Sequence, residues 1–584
     1  VNLELSRNND FDPTVVQPLG SPPAGSEITN LNYSLQQENY LSYKKSFGDH
    51  NLTAVAGVQF QQWQYEYSRF RSVNFNNDII RTFNNVAELD ASNTRTTATS
   101  HALVSQFGRV TYDYKGKYLF GGTIRRDGSS RFGTANQYGV FPGVSVGWRM
   151  SDESFWDPIS SVVSEFKLRA GISQNGNERI GNFESRTLYS PGFLYNGLNG
   201  IAITQLGNEN LSWETTQQSY VGADFGFLDG RINASFDYYE KLTSDLLYPT
   251  PLPEETGFNS ISNNIGQIKN SGIEFTISGD VLKTSSLQWF SSFNIATNVN
   301  EVVELAEENG QIIRGDFIIR EGGSIGDMWG YTALGVFPYN ESNAFDDNGN
   351  QLTPIFDEQG GFLNYQQNGQ TYTGNVNQLK VQNRVLLGGD VMWKDWNGDF
   401  NIDPNADRTV IGNGLPKLFG GFYNEFIFKG IKLSMMIDYN FGNDIYRSYD
   451  ESRNQRLVRT VVPGPDRVEE AWYQPGDIAK YPSLNASGSS RNSLGPNTFW
   501  VSQADFIKLR SLRLDYSLPA SVLDNVSFLS NVSFYASGNN LLTWTNYEGY
   551  NAELGSRGNA LQPGLDNLRY PLYREYILGV NIKF

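Results

Sequence analysis

The sequence predicts an all-β chain built as one large antiparallel transmembrane β-barrel. Three observations carry this expectation. Period-two alternation of apolar with small or charged residues recurs along the chain, the connections alternate between short turns and long polar segments, and the last stretch, YILGVNIKF, alternates to its final residue.

In chain order, VFPGVSVGWRM sets Val140, Pro142, Val144, Val146, Trp148 and Met150 on one face and Gly143, Ser145, Gly147 and Arg149 on the other. GIEFTIS opposes Ile273, Phe275 and Ile277 to Glu274, Thr276 and Ser278. LSMMIDYNF aligns Leu433, Met435, Ile437, Tyr439 and Phe441 against Ser434, Asp438 and Asn440. SLRLDYSL separates Leu512, Leu514, Tyr516 and Leu518 from Ser511, Arg513, Asp515 and Ser517. At the end, Tyr576, Leu578, Val580, Ile582 and Phe584 share the apolar face. Val144, Val146, Ile437, Leu514 and Val580 are therefore expected to face lipid, and Ser145, Asp438, Arg513 and Asn581 a lumen. Trp63, Trp148 and Trp544 fall near strand ends, where interfacial aromatic girdles sit. The one helical stretch singled out is PGPDRVEEAWYQ, residues 463–474, about two turns inside a loop.

Short turns fall at residues 47–51, 114–118, 227–231 and 428–432. Long polar segments cover roughly 73–98, 176–210, 247–263, 303–325, 340–380, 447–500 and 545–570. Such lopsidedness suits a spanning barrel with short periplasmic turns and long extracellular loops, closed because lipid leaves no backbone group unpaired. The count is about seventeen or eighteen strands, many longer than the ~9–11 residues a crossing needs, so the barrel is expected to stand above the bilayer.

Composition agrees. Lys and Arg total 45 against 62 Asp and Glu, a net charge of −17, which argues against nucleic acid as a partner. There is no cysteine, so neither disulfides nor thiolate metal sites arise. The mean hydropathy is −0.44 and no segment has the run of apolar residues of a membrane helix. The opening VNLELSRNND carries neither an initiator methionine nor a signal peptide and reads as the end of a strand, so an upstream part is expected.

Several longer stretches add a resemblance. GRVTYDYKGKYLFGGTIRRDGSSRFG (108–133), FPGVSVGWRMSDESF (141–155), GDVMWKDWNGDFNIDPNADRTVIGNGLPKLFGGF (389–422), GNDIYR (442–447), FWVSQADFIKLRSLRLDYSLP (499–519), GNNLLTWTNYEGYNAE (538–553) and YPLYREYILGVNIKF (570–584) resemble the barrel of SusC/RagA-type TonB-dependent transporters of Bacteroidetes outer membranes. The resemblance implies a barrel of about 22 strands, of which residues 1–584 would be the C-terminal part, the N-terminal plug and first strands lying upstream. It further implies an outer-membrane nutrient importer with no enzymatic activity, taking up glycan or peptide oligomers. Its partners would be a SusD-like surface lipoprotein acting as lid, and the TonB complex acting through the plug. A SusC-like barrel serving as a structural subunit of an outer-membrane assembly is the alternative, and an open porin the third. The alternating C-terminal residues Tyr576, Leu578, Val580, Ile582 and Phe584 are implied to be the signal read by the assembly machinery.

Four groups carry candidate chemistry. DWNGDFNIDPNAD offers Asp395, Asn397, Asp399, Asn401, Asp403 and Asp407, oxygen ligands at alternate positions that suit Ca²⁺. Phe400 stands where an EF-hand has glycine, Ala406 stands at the twelfth position, and the competing reading is a turn held by Asx hydrogen bonds. GVSVG (143–147) matches a hydrolase elbow, but Ser145 lies in an alternating strand and neither His50 nor His101 is an evident partner, so no catalytic site is expected. RRDGSSRF brings Arg125, Arg126, Asp127 and Arg131 together, either for an anionic ligand or plug or to pair among themselves across a polar lumen. Trp329, Trp393, Trp396, Trp472 and Trp500 are loop aromatics, suited to sugar or peptide contacts or to packing the loops.

Overall fold

The computed structural model describes residues 1–17, 21–196, 198–305, 310–451, 464–484, 489–523, 528–553, 561–568 and 570–584. The chain divides into two compact units, residues 1–224 with 239–267, and residues 225–238 with 268–584. Counted over both, seventeen strands carry the main pairing, within the number expected. They are numbered β1 to β17 in chain order.

The first unit contains β1 (Asn2–Asp12), β2 (Ala24–Phe47), β3 (His50–Ser72), β4 (Arg95–Tyr114), β5 (Tyr118–Ser129), β6 (Tyr138–Arg149) and β7 (Val163–Asn177), each antiparallel to the next. Strands β8 (Glu214–Phe227) and β9 (Ile232–Ser244) follow. The second unit contains β10 (Gln267–Lys283), β11 (Leu287–Thr297), β12 (Val299–Glu304), β13 (Leu418–Phe428), β14 (Ile431–Phe441), β15 (Phe506–Ser517), β16 (Asn531–Thr545) and β17 (Glu575–Lys583). Here too β13 to β17 form an antiparallel meander. The tight hairpins follow from local chemistry. Lys429 and Gly430 between Phe428 and Ile431 both have positive φ, 46° and 85°, the backbone of a two-residue turn whose twist matches its strands.

Register sorts the side chains as the alternation requires. In the first unit Ala54, Val110, Gly122, Val144 and Ile172 lie in one cross-strand row, and Thr53, Thr111, Gly121, Ser145 and Gly171 in the adjacent row on the opposite face. In the second unit Phe426, Leu433, Leu514, Ala536 and Leu578 share one row, and Glu425, Ser434, Arg513 and Ser537 the other face. Val144, Val146, Leu514 and Val580 are all exposed, so the apolar face is the uncovered one. A face this apolar and this open has hydrocarbon as its solvent. Trp148 joins that face, whereas Trp63 lies on the polar face, opposite Ser34 and His101, stacked on the imidazole at 4.5 Å. Its assignment to a girdle is corrected accordingly: proximity to a strand end does not decide the face, parity does.

The long segments of the second unit are less open than their polarity suggests. Gln311–Arg314 pairs with Phe317–Arg320, Asp327–Tyr331 with Arg408–Asn413, and Ala333–Val336 with Val391–Trp393. Beneath them Phe337, Leu386, Trp393 and Ile402 form a buried cluster. In the first unit Trp213 packs against Phe132, tilted at 5.1 Å, and edge-to-face against Phe141 at 5.3 Å, and donates to the Gln137 carbonyl. Gly176 is required there, since a Cβ would come within 2.1 Å of the Phe141 ring. The expected helical stretch is present as Pro465–Glu469; Pro463 lies outside the described residues.

Candidate functional site

The polar faces are lined by charges that satisfy one another. Arg125 donates through Nε to both oxygens of Asp127 (2.8 and 2.9 Å) and through Nη2 to Gln59 Oε1 and Ser105 Oγ. Arg131 donates to Asn182 Oδ1 at 2.9 Å and to the Glu178 carbonyl at 3.0 Å. Lys167 and Arg169 share Asp224 at 3.2 and 3.1 Å. In the second unit Arg510 bridges Asp438 and Glu553, and Lys508, only 3% exposed, reaches the same Glu553 at 3.0 Å. Of the sequence grouping, Arg125 and Asp127 pair with each other, whereas Arg131 turns instead to Asn182 and Glu178. Gln59, Ser105 and Asn182 were not legible, because they arrive from other strands. Arg126 leaves the group: strand parity turns it to the apolar face, where its guanidinium lies 3.9 Å over the Tyr138 ring.

Both histidines have partners that sequence did not supply. His50 Nδ1 lies 2.7 Å from the Tyr112 hydroxyl, and His101 carries Trp63. Trp63, Tyr65, Asn32, Thr99 and Asn182 line a polar cavity of about 370 Å³. Ser145 sits in mid-strand between Gly121 and Gly171, with none of the strand-to-helix turn a nucleophile elbow needs. Among the loop tryptophans, Trp393 and Trp500 are buried in packing clusters, and Trp396 is exposed.

The acidic loop is organised around its own backbone. Asp395 accepts from the N–H groups of Gly398 and Phe400 (both 2.7 Å), Asn397 from Asp399, Asp399 from Asn401, and Asp403 from Asn405 and Ala406. Asp407 is fully buried and clasps the loop, accepting from Trp396 N at 2.8 Å and Asp403 N at 2.9 Å. Burial pushes its carboxyl above the ordinary range, against those hydrogen bonds. Phe400 itself takes a positive φ of 61° while packing against the Trp393 cluster. These are Asx turns, and among the described residues no three of His, Asp and Glu gather as a metal-ligand group.

At the C-terminal strand, Tyr576, Leu578, Val580, Ile582 and Phe584 are all exposed on one face. The Phe584 ring stacks on Phe528 at 6.4 Å, and Ser530 N donates to the Lys583 carbonyl. At the short-turn end of the first unit an aromatic ladder runs across the strands: Phe47 to His50 (5.0 Å), His50 to Tyr114 (4.8 Å), Tyr114 to Tyr118 (6.3 Å) and Tyr118 to Trp148 (6.4 Å). This is the geometry of one interfacial girdle.

Comparison with known proteins agrees with this architecture. A family model described as TonB dependent receptor-like, beta-barrel matches residues 2–424. The chain is 49% identical over 585 residues to TonB-dependent receptor P39 of Formosa agariphila, the alignment covering 100% of this chain and 56% of that protein. It is 27% identical over 578 residues to TonB-dependent receptor SusC of Bacteroides thetaiotaomicron, covering 96% of this chain and 51% of that one. The solved RagAB peptide transporter superposes with a TM-score of 0.79 at 20% identity, covering 100% of this chain and 59% of its own, a likeness of fold. The chain spans about half the length of the curated relatives it matches.

Proposed function

We propose, from the premise that this chain belongs to the TonB dependent receptor-like β-barrel family, that it is the barrel of an outer-membrane importer for glycan or peptide oligomers. In this reading a SusD-like surface lipoprotein covers the barrel mouth, and TonB supplies the energy through a plug. Barrels of this family lie in the outer membrane.

The observation that supports import most directly is the division of labour along the chain. Polar faces with paired charges such as Arg125–Asp127 and Arg510–Glu553 give a hydrated, non-sticky wall. The long connections, by contrast, are folded pieces with their own buried clusters, as a receiving surface for ligand and lid requires. The likeness to SusC and to the RagAB peptide transporter fits this reading, the latter being named for peptide as its cargo.

The test is uptake by cells with and without the gene, using fluorescent glycan and peptide oligomers, in strains with and without TonB. Loss of uptake of one class in both deletions is expected. Uptake that needs the gene but not TonB would make the barrel a porin. Uptake unchanged for every oligomer, with several envelope proteins lost together, would make it a structural subunit.

A further inference from the structure

We propose that the lipid-facing surface of β2 to β6 holds one phosphorylated lipid of the outer leaflet, an acyl chain in an apolar groove and its phosphate on Arg126. The register sets Leu41, Ala56, Gly108, Ile124 and Pro142 side by side across the five strands. The next row toward the short turns is Tyr43, Ala54, Val110, Gly122 and Val144. Ala54, Ala56, Gly108 and Gly122 leave a floor between Leu41 and Tyr43 on one side and Phe120 and Ile124 on the other. The depression measures about 770 Å³. It continues away from the short turns into a second depression that shares Leu41, Ala56, Gly108 and Ile124 and reaches Gln106 and Arg126.

Arg126 distinguishes this groove from ordinary lipid-facing surface. Arg125, its neighbour on the polar face, is bonded to Asp127, Gln59 and Ser105, whereas Arg126 has no carboxylate partner among the described residues. Its guanidinium is held in plane by the Tyr138 ring, which lies so close over Gly128 that a Cβ there would approach it to 2.4 Å. An unpaired arginine facing lipid is tolerable only at headgroup level. The height fits: on β6, Tyr138 and Trp148 of the girdle bound the apolar stretch, about 34 Å of strand at ~3.4 Å per residue, which strand tilt reduces to roughly the 25 Å apolar band. Arg126 therefore stands at the interface on the long-loop side, which is the outer leaflet. A planar guanidinium with free donors is the side chain that matches a phosphate, and the adjacent Gln106 amide offers a further donor.

The experiment is native mass spectrometry of the full-length protein in mild detergent, titrated with bisphosphorylated lipid A, dephosphorylated lipid A and phosphatidylglycerol. Wild type should retain lipid A, and Arg126→Gln should weaken retention about fivefold, the effect of one basic side chain at an anionic surface. Arg126→Lys should keep most of it, and Ala56→Trp, which fills the groove, should lose it. Dephosphorylation should bring wild type to the level of Arg126→Gln and leave that variant unchanged. Heat-modifiable gel mobility confirms that each variant is folded. Equal retention by all variants would overturn the site, and equal retention of phosphatidylglycerol would overturn the outer-leaflet lipid. A dimer broken by Ala56→Trp with lipid retention unaffected would give the groove to a second copy and overturn the proposal likewise.

Discussion

The Glu153 carboxylate accepts a 2.7 Å hydrogen bond from the Tyr118 hydroxyl, fixing an interfacial aromatic to the short connection beneath it. Trp148 Nε1 donates to the same oxygen at 3.3 Å and Lys117 Nζ reaches the other. These donors, Tyr118 foremost, hold the Glu153 carboxyl below its ordinary value of 4.5. A depressed carboxyl stabilises the fold above its unfolded value, and that contribution disappears as pH falls through the folded one. Acidification below about 4.5 should therefore lower heat stability more in wild type than in Glu153→Gln, read as the temperature at which gel mobility shifts. Parallel pH profiles for the two proteins would remove Glu153 from the girdle's support.

The face assignment is checked with charge. Val144→Arg, in mid-band on the apolar face, should destabilise by ~2–4 kcal/mol, and Ser145→Asn, one residue on but on the polar face, by much less. Denaturant unfolding in lipid vesicles measures both, and equal losses would mean that the register is wrong.

For the acidic loop, Asp407→Ala should strip the half-buried N–H groups of Trp396 and Asp403 of their acceptor, at a cost of about 1 kcal/mol each. Hydrogen exchange across residues 395–407 should quicken accordingly. Removing calcium with a chelator should leave wild-type exchange unchanged, since the carboxylates are already engaged by backbone. Quickening on chelation, reversed by added calcium, would restore the metal.

Removing Phe584 should lower the amount of barrel inserted in the outer membrane while the inserted fraction keeps near-normal heat stability. That separation distinguishes an assembly signal from one more apolar side chain, whose burial is worth ~1.5–3 kcal/mol of stability. Fractionation followed by the gel-shift assay reads both quantities, and normal membrane levels would end the signal reading.

Alternation made the sheets legible because strand parity is a local property: Val144, Ser145, Leu514 and Arg513 fell on their expected faces without any tertiary information. The same rule, applied strictly, would also have moved Trp63 inward and Arg126 outward, since each differs in parity from the residues with which proximity grouped it. Gln59, Ser105 and Asn182 stayed hidden for another reason, in that their partners lie tens of residues away and an amide or hydroxyl in a strand carries no mark of what it will meet. The buried cluster of Phe337, Leu386, Trp393 and Ile402 was equally silent, its members drawn from short separate stretches of the connections with no period to link them. In the acidic loop the residue types were readable and the geometry was not, because oxygens suited to a cation are equally suited to backbone N–H groups.

The β2–β3 hairpin runs from the Gly25–Ser72 pair to the Phe47–His50 pair without a single bulge, closed by only two residues, Gly48 and Asp49. Inserting or deleting one residue anywhere along it would exchange the solvents of every side chain beyond that point. Changes of length are thus forbidden over most of the strands and admitted only in the connections at the other end. Descendants of this chain can diversify what they recognise by rewriting loops of any length, while the wall that carries those loops can change only by substitution, one face at a time.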